Sequence, residues 1–551
     1  MNSKLLSLLI TIITLPSLLY AQSKDLKEKA AWVDSVYKSL SLEEKIGQLF
    51  MVAAYSAGNN MNYNKVKNLA EEGKIGGVIY MQGNAEAQIQ QTNELQSAYK
   101  VPFLIAMDAE WGLGMRLTGV KDYPKQMLLG ATDNVEFMER LGFSIGKQLK
   151  NIGVHIDFAP VVDVNNNPEN PIINFRSFGE DKNLVSRMGI AYMNGLHKAG
   201  ILAVAKHFPG HGDVSVDSHH DTPVIPKTVE QLNNLEFYPF KQLMAKGLKA
   251  ILTSHLSIPE IDNRNNRPAT VSYPIITEHL KEKLQFKGLI FTDALNMKGI
   301  TKHYSPGEVD LEAFLAGNDV LLFSENAPRG IQLIKKAYEE GRVSEERLAL
   351  SVRKILALKY DNDLHNFKAI NGTNATQKAN EEVDAFLKEA TALSATKWKG
   401  NTLNGAQRHH SVLHISINER NTNNITSYLR EAFDKVDHIS SSQANFHSRV
   451  QNLKADSYDF IIISIHSSMN YPGKNKTYGV PVRDINAIQN LIKQDNVYTG
   501  LLINPYLGNK FCNAKNAFIL YENNEHTQKQ YIDILLNHKT ALGKSPVSIC
   551  K

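Results

Sequence analysis

The densest chemistry lies in Lys206-His207-Phe208-Pro209-Gly210-His211-Gly212-Asp213 and, just beyond it, Asp217-Ser218-His219-His220-Asp221. Residues at i and i+2 of an extended loop point to one side, so Asp217 can fix the tautomer of His219 and raise its basicity. Such a pair is an oriented general acid/base. Four histidines and three aspartates within residues 207–221 could also hold zinc. Against that, the first apolar run ends in Met51-Val52-Ala53-Ala54, without the His-x-His usual in metal-dependent barrel hydrolases, so no metal is expected. Pro209, Gly210 and Gly212 shape a tight loop that a plain connector does not need. A second signal is Phe291-Thr292-Asp293-Ala294-Leu295-Asn296-Met297, a carboxylate at the end of an apolar run. Alone it reads as a helix N-cap. With an acid/base elsewhere on the same rim, it completes the two groups needed to displace a sugar from its glycosidic oxygen.

These groups need a frame. Apolar runs recur at residues 48–53, 76–81, 102–107, 153–162, 201–205, 250–253, 288–291 and 319–323, mostly separated by stretches long enough for helices. Eight buried strands alternating with helices predict an α/β fold, a (β/α)8 TIM-type barrel, with a doubly wound open sheet as the alternative. Asp108, Asp157, Asp163, Lys206, His207, His255 and Asp293 all fall at or near the C-terminal ends of these runs, which in a barrel share one mouth. Ser41 followed by Glu44 has the spacing of a capping box at a helix entry, and residues 343–359 read as a further helix. An Asn- and Asp-rich linker is expected at 360–380. Strand-like runs at 411–417, 459–465, 497–504 and 517–521 then suggest a smaller α/β domain over 381–551, layered on a mostly parallel sheet. No Gly-rich phosphate loop opens any of these strands, so a nucleotide site is not expected.

The loop from Lys206 to His219 and the strand end at Asp293 resemble glycoside hydrolase family 3, in its bacterial β-N-acetylglucosaminidase branch. The long Lys-His-Phe-Pro-Gly-His-Gly…Asp-Ser-His signature is matched in full. The resemblance implies that Asp293 attacks the anomeric carbon, that His219 protonates the leaving oxygen and later activates water, and that Asp217 orients His219. It further implies that Asp108, Arg116, Arg176, Lys206, His207 and His255 recognise sugar hydroxyls. The expected function is exo-acting, retaining release of terminal β-linked N-acetylglucosamine from glycans or cell-wall fragments, with no cofactor. Ala109 and Trp111 stand where Gln and Gly are frequent in the family. Residues 501–506, 521–525 and 542–548 resemble, more loosely, the sandwich that follows the barrel in longer members. Three other readings stay open: resolution of the glycosyl-enzyme by phosphate, since a histidine does not repel an incoming anion, a different β-glycosidase specificity, and a sugar-binding protein that has lost turnover.

Bulk properties agree. The chain has 551 residues, 42% hydrophobic and 21% charged, and a formal charge of +5 with Lys and Arg scattered among acids, so no nucleic-acid footprint is visible. Lys4 precedes an apolar run over residues 5–20 that is broken by Pro16 and ends near Ala21. This reads as a signal peptide over 1–21, leaving a catalytic barrel over 22–359, no membrane span after leader removal, and a secreted or periplasmic protein. Cys512 and Cys550 could form one bridge, which spacing alone cannot decide. The oligomeric state is not written in these patterns.

Overall fold

Residues 25–58, 61–215, 222–419, 424–467 and 469–550 are described by the computed structural model. Asp217 and His219 lie outside these residues.

After a helical stretch over 25–39, the helix Leu42–Gly47 starts at the expected box: the Glu44 N–H donates to Ser41 Oγ at 3.2 Å, and the Ser41 N–H donates to Glu44 Oε2 at 2.7 Å. The first set of strands follows: β1 (Phe50–Ala54), β2 (Gly77–Tyr80), β3 (Leu104–Met107), β4 (Ile156–Asp157), β5 (Leu202–Ala203), β6 (Ala205–Phe208), β7 (Ala250–Thr253), β8 (Leu289–Thr292) and β9 (Leu321–Leu322). They pair in parallel as two runs, β5-β4-β3-β2-β1-β9 and β6-β7-β8. Backbone hydrogen bonds close the ring on both sides, from Val162 N–H to the Lys206 carbonyl at 2.8 Å and from Thr292 N–H to the Val320 carbonyl at 3.0 Å. Because β5 and β6 are one strand interrupted at Val204, the ring has eight positions, the (β/α)8 barrel that the sequence predicts. Residues of β2, β3, β7 and β8 are buried throughout, which is why these strands read as unbroken apolar runs. The run over 153–162 yields only a short strand, because Pro160 has no N–H to offer the ladder.

The stretch read as a linker is held against the barrel. Its residues include the helix Ala375–Asn380, and Thr376 donates from both N–H and hydroxyl to the Glu86 carboxylate. The next helix, Val383–Ser394, sets Phe386 against Tyr123 and Phe137 at ring separations of 5.6 and 5.9 Å. Within the Asn- and Asp-rich stretch, Leu364, Ala375 and Ala379 are buried with the barrel core and Phe367 and Ile370 pack against it, too few apolar residues to stand out from their polar neighbours in the sequence.

The second sheet comprises β10 (Thr396–Lys399), β11 (Ser411–Ile417), β12 (Lys435–Ser440), β13 (Phe460–His466), β14 (Val497–Leu502) and β15 (Asn516–Ile519), in the order β10-β15-β14-β13-β11-β12. All its pairings are parallel except β10 with β15. The four central strands match the expected runs. The edge strands β10 and β12 were not anticipated.

Loops of this sheet meet the barrel beside its mouth. The Tyr471 hydroxyl donates to the Ile172 carbonyl at 3.0 Å, the Tyr478 hydroxyl to the Pro168 carbonyl at 3.1 Å, and Asn504 Nδ2 to Asn174 Oδ1 at 2.6 Å. Cys512 and Cys550 are joined in a disulfide with Cα atoms 5.7 Å apart. The adjoining tail runs back over the barrel, where Lys544 N–H donates to the Ala131 carbonyl at 3.0 Å and Glu180 N–H to the Pro546 carbonyl at 3.1 Å. Among the described residues no helix is long and apolar enough to cross a membrane.

Candidate active site

A cavity of about 540 Å³ opens where the strands end, with Asp108, Arg116, Arg176, Lys206, His207 and Asp293 among its lining residues. Each is delivered by a strand end or the loop after it, the usual place for a site on such a barrel. Asp108 follows β3 and sits between two cations: Lys206 Nζ donates to Oδ1 at 2.7 Å and Arg116 Nη2 to Oδ2 at 2.8 Å. Glu110, two residues on, is fully buried and takes Arg176 in a two-point contact, Nη2 to Oε1 at 2.6 Å and Nε to Oε2 at 3.0 Å. Lys206 Nζ also lies 2.8 Å from Glu110 Oε1, so one lysine joins the two carboxylates.

Burial would push the Glu110 carboxyl up, but Arg176 and Lys206 beside it hold it well below the usual carboxylate range. Asp108 is likewise held down, against burial, by Lys206 and Arg116. The Lys206 ammonium is raised for the complementary reason: burial opposes its charge, and Asp108 and Glu110 outweigh burial. The lattice therefore stays fully ionised, a set of fixed donors and acceptors suited to hydroxyl recognition. Glu110 is one of the lining residues that sequence reading missed. Its signal was the i,i+2 spacing from Asp108, which puts both carboxylates on one side of an extended segment.

Removing that carboxylate leaves Arg176 and Lys206 facing each other without it. Glu110→Gln is expected to cost about 3–5 kcal/mol of stability, as for other broken buried ion pairs. A denaturant titration of variant and parent checks this, and a loss below about 1 kcal/mol would contradict the assigned geometry.

His207 is set by Asp163, another strand-end carboxylate. Its Nδ1–H donates to Asp163 Oδ2 at 2.7 Å, which leaves Nε2 to accept from Arg176 Nη2 at 3.4 Å. Asp163 Oδ1 accepts from the His211 N–H at 2.7 Å, so one carboxylate orders the start of the histidine loop. The His211 imidazole is lowered to about 4 by burial and by His207. Two glycines are dictated by close approach: a Cβ on Gly212 would meet the Val164 carbonyl oxygen at 1.8 Å, and Gly210 has φ +133 with Glu236 packed against it. The Pro-Gly-His-Gly motif is thus the shape of the backbone that leads to Asp217 and His219.

Asp293 lines the cavity at the end of β8, its N–H donating to the Thr253 carbonyl at 2.8 Å. His255 is placed differently from the other expected hydroxyl-binding residues. It is buried and not part of the cavity lining; its Nε2 donates to the Ala294 carbonyl at 3.0 Å and its Nδ1 lies 2.9 Å from Thr270 Oγ1. It therefore anchors the peptide that follows Asp293. Tyr471, from the second sheet's loops, completes one wall and packs its ring 4.9 Å from that of Phe175. Among the described residues no group of three or more His, Cys, Asp or Glu side chains is arranged to hold a metal ion.

Beneath the lattice, Asp157 is fully buried and accepts from the Ala109 N–H at 3.0 Å, with the Tyr192 hydroxyl 3.5 Å away. Burial raises its carboxyl to about 7. The folded protein then keeps this proton up to about pH 7, while the unfolded chain releases it near pH ~3.9, so this group makes stability fall as pH rises between those values. Asp157→Asn should remove that slope, giving denaturation midpoints that change less than the parent's from pH 4.5 to 7.5. Parallel curves for the two proteins would contradict a buried neutral acid.

Fold and mouth together place the chain among barrel proteins that carry their site on the loops following the strands. More narrowly, it belongs to glycosyl hydrolase family 3, whose N-terminal domain model matches residues 41–358. Beta-hexosaminidase A of Pseudoalteromonas piscicida is 34% identical over 317 residues, 52% of this chain and 53% of its own length. The match thus spans about half of that relative. A beta-N-acetylglucosaminidase/beta-glucosidase of Cellulomonas fimi is 28% identical over 380 residues, 66% of each chain. Among solved structures, a family 3 beta-N-acetylglucosaminidase from Paenibacillus sp. str. FPU-7 superposes with a TM-score of 0.77 at 27% identity, covering 93% of this chain and 99% of its own. A beta-glucoside phosphorylase superposes with a TM-score of 0.81 at 23% identity, a likeness of fold alone.

Proposed function

We propose that the protein is an exo-acting, retaining β-N-acetylglucosaminidase. The observation that carries the reading is the ionised lattice of Asp108, Glu110, Arg116, Arg176 and Lys206 sharing one cavity with Asp293. A terminal sugar gripped through its hydroxyls by that lattice brings its anomeric carbon to Asp293. The carboxylate oxygen bonds to that carbon as the glycosidic C–O bond breaks, and the departing oxygen takes its proton from His219. His219, oriented by Asp217, then removes a proton from water, which displaces Asp293 from the sugar and restores both groups. Two inversions give net retention. An imidazole suits this double duty because its ordinary pKa of ~6.5 already lies near neutrality. The names of the family relatives support the choice of N-acetylglucosamine.

The leader-like N-terminus and the disulfide between Cys512 and Cys550 support an extracytoplasmic location. The assay is release of free N-acetylglucosamine from an aryl β-N-acetylglucosaminide, run beside the matching β-glucoside, with EDTA, and with and without phosphate. Free sugar with EDTA present supports the reading; sugar 1-phosphate in its place would convert it to a phosphorylase, and preference for the glucoside would overturn it.

A further inference from the structure

Asp217 and His219 fall in sequence between two arms of chain, one over 209–215 and one over 222–227, and different neighbours hold the two. The first arm rests on the loop after β4. Asn170 Nδ2 donates to the His211 carbonyl at 2.7 Å, and Asn167 Nδ2 donates to the Val214 carbonyl at 3.3 Å and to Ser215 Oγ at 3.0 Å. The second arm rests on the chain after β7 and β8. Ile225 N–H donates to the Ser257 carbonyl at 2.9 Å, Ser257 N–H to the Pro223 carbonyl at 2.9 Å, and the Thr222 hydroxyl to the Gly299 carbonyl at 2.5 Å.

Lys227 joins the arms. Its Nζ lies 2.5 Å from Asp213 Oδ2 on the first arm and also pairs with Glu236 Oε1. Glu236 is buried just before the helix Phe237–Ala245, and its Cβ and Cγ lie 2.7 and 2.8 Å from where a Cβ on Gly210 would stand. One ammonium on the second arm thus ties the end of the first to the buried carboxylate packed against its start. Burial pushes the Glu236 carboxyl up and Lys227 opposes it; burial also opposes the charge of Lys227, and Asp213 and Glu236 outweigh burial there. As a source of stability the Asp213 contact counts for little, because Asp213 is 34% exposed and water screens the pair. Its weight is geometric: it fixes the separation of two arms that rest on different strands. General acid catalysis is sensitive to such a separation. A proton donor must come within about 2.6–3.2 Å of the oxygen it protonates, and a misplacement of about 1 Å can cost 10²-fold. Lys227 itself is not part of the cavity lining, so hydroxyl recognition does not depend on it.

We propose that Lys227 is a positioning residue for the acid/base, clamping the two arms between which Asp217 and His219 fall; the proposal rests on the glycosidase reading above. The experiment measures kcat/KM, which reports the first half-reaction, for the β-1,4-linked disaccharide of N-acetylglucosamine and for an activated aryl β-N-acetylglucosaminide, in the parent and in Lys227→Met. The sugar leaving group needs a proton and the activated phenolate does not. The disaccharide value is therefore expected to fall about tenfold or more, and the aryl value to stay within about threefold of the parent's. Equal losses on both substrates, the mark of a merely structural role, or an unchanged ratio reject the proposal. If Lys227→Met fails to fold, Asp213→Asn decides, because it breaks the same link at a partly exposed position while Lys227 keeps Glu236 paired. Its disaccharide-to-aryl ratio falls by about threefold or more, or the clamp is rejected. A parent inactive on both substrates would overturn the glycosidase reading itself, whereas an active parent with unchanged ratios in the variants overturns the role of Lys227 alone.

Discussion

Asp293→Ala is expected to lower turnover of an aryl β-N-acetylglucosaminide by about 10⁴-fold or more, the scale seen when a covalent nucleophile is removed. The fold should survive, because the Asp293 backbone N–H still reaches the Thr253 carbonyl and His255 still holds the Ala294 carbonyl. A chemical signature separates this outcome from general damage. Azide, a small anion able to occupy the space left by the carboxylate, would attack the anomeric carbon from the vacated side and yield the α-glycosyl azide. Proton NMR of the product reads the configuration. Residual activity within about tenfold of the parent, with no azide product, would remove Asp293 from the role of nucleophile.

His219→Ala should separate substrates by their leaving groups. A sugar oxygen leaves poorly without a proton, so hydrolysis of the disaccharide should fall by about 10²–10⁴-fold, the usual contribution of a positioned general acid. An activated phenolate leaves unaided, so formation of the glycosyl-enzyme continues, and the missing base then slows its hydrolysis. Pre-steady-state assays should show a burst of phenol followed by a slow phase. Azide needs no base and should accelerate that phase, this time giving the β-glycosyl azide. The two variants thus produce opposite anomers from one substrate. Equal losses on both substrates, with no burst, would count against His219 as acid/base.

The barrel was legible because a parallel barrel hides both faces of its strands: Val78, Ile79 and Tyr80 on β2 and Leu104 to Met107 on β3 leave no polar alternation to confuse the count. The second sheet's edges were not legible for the opposite reason. Lys435-Val436-Asp437-His438-Ile439-Ser440 is mostly polar and exposed along its first half, so β12 does not stand out from a loop. Within the site, Asp108, Lys206 and Asp293 could be found because each ends an apolar run. Glu110 could not be ranked in the same way, since its meaning depends on Arg176, 66 residues away in the chain. Tyr471 comes from a loop of the other sheet, 299 residues from the Ile172 carbonyl it contacts, and no local pattern announces that meeting. His255, assigned to hydroxyl recognition by the family resemblance, also holds the peptide after Asp293 through its Nε2, a contact that no sequence pattern announces.

The tail over residues 544–548 has a consequence for how the molecule is made. A chain emerging from the ribosome presents the barrel strands first and the second sheet next, and the contacts from Lys544 to Ala131 and from Pro546 to Glu180 join the tail to the barrel. The barrel can close around its own apolar strands while the remainder is still being synthesised. The clasp between the two units cannot. Residues 544–548 therefore add a fastening on this side of the cleft that can form only after the barrel strands and the second sheet have been synthesised.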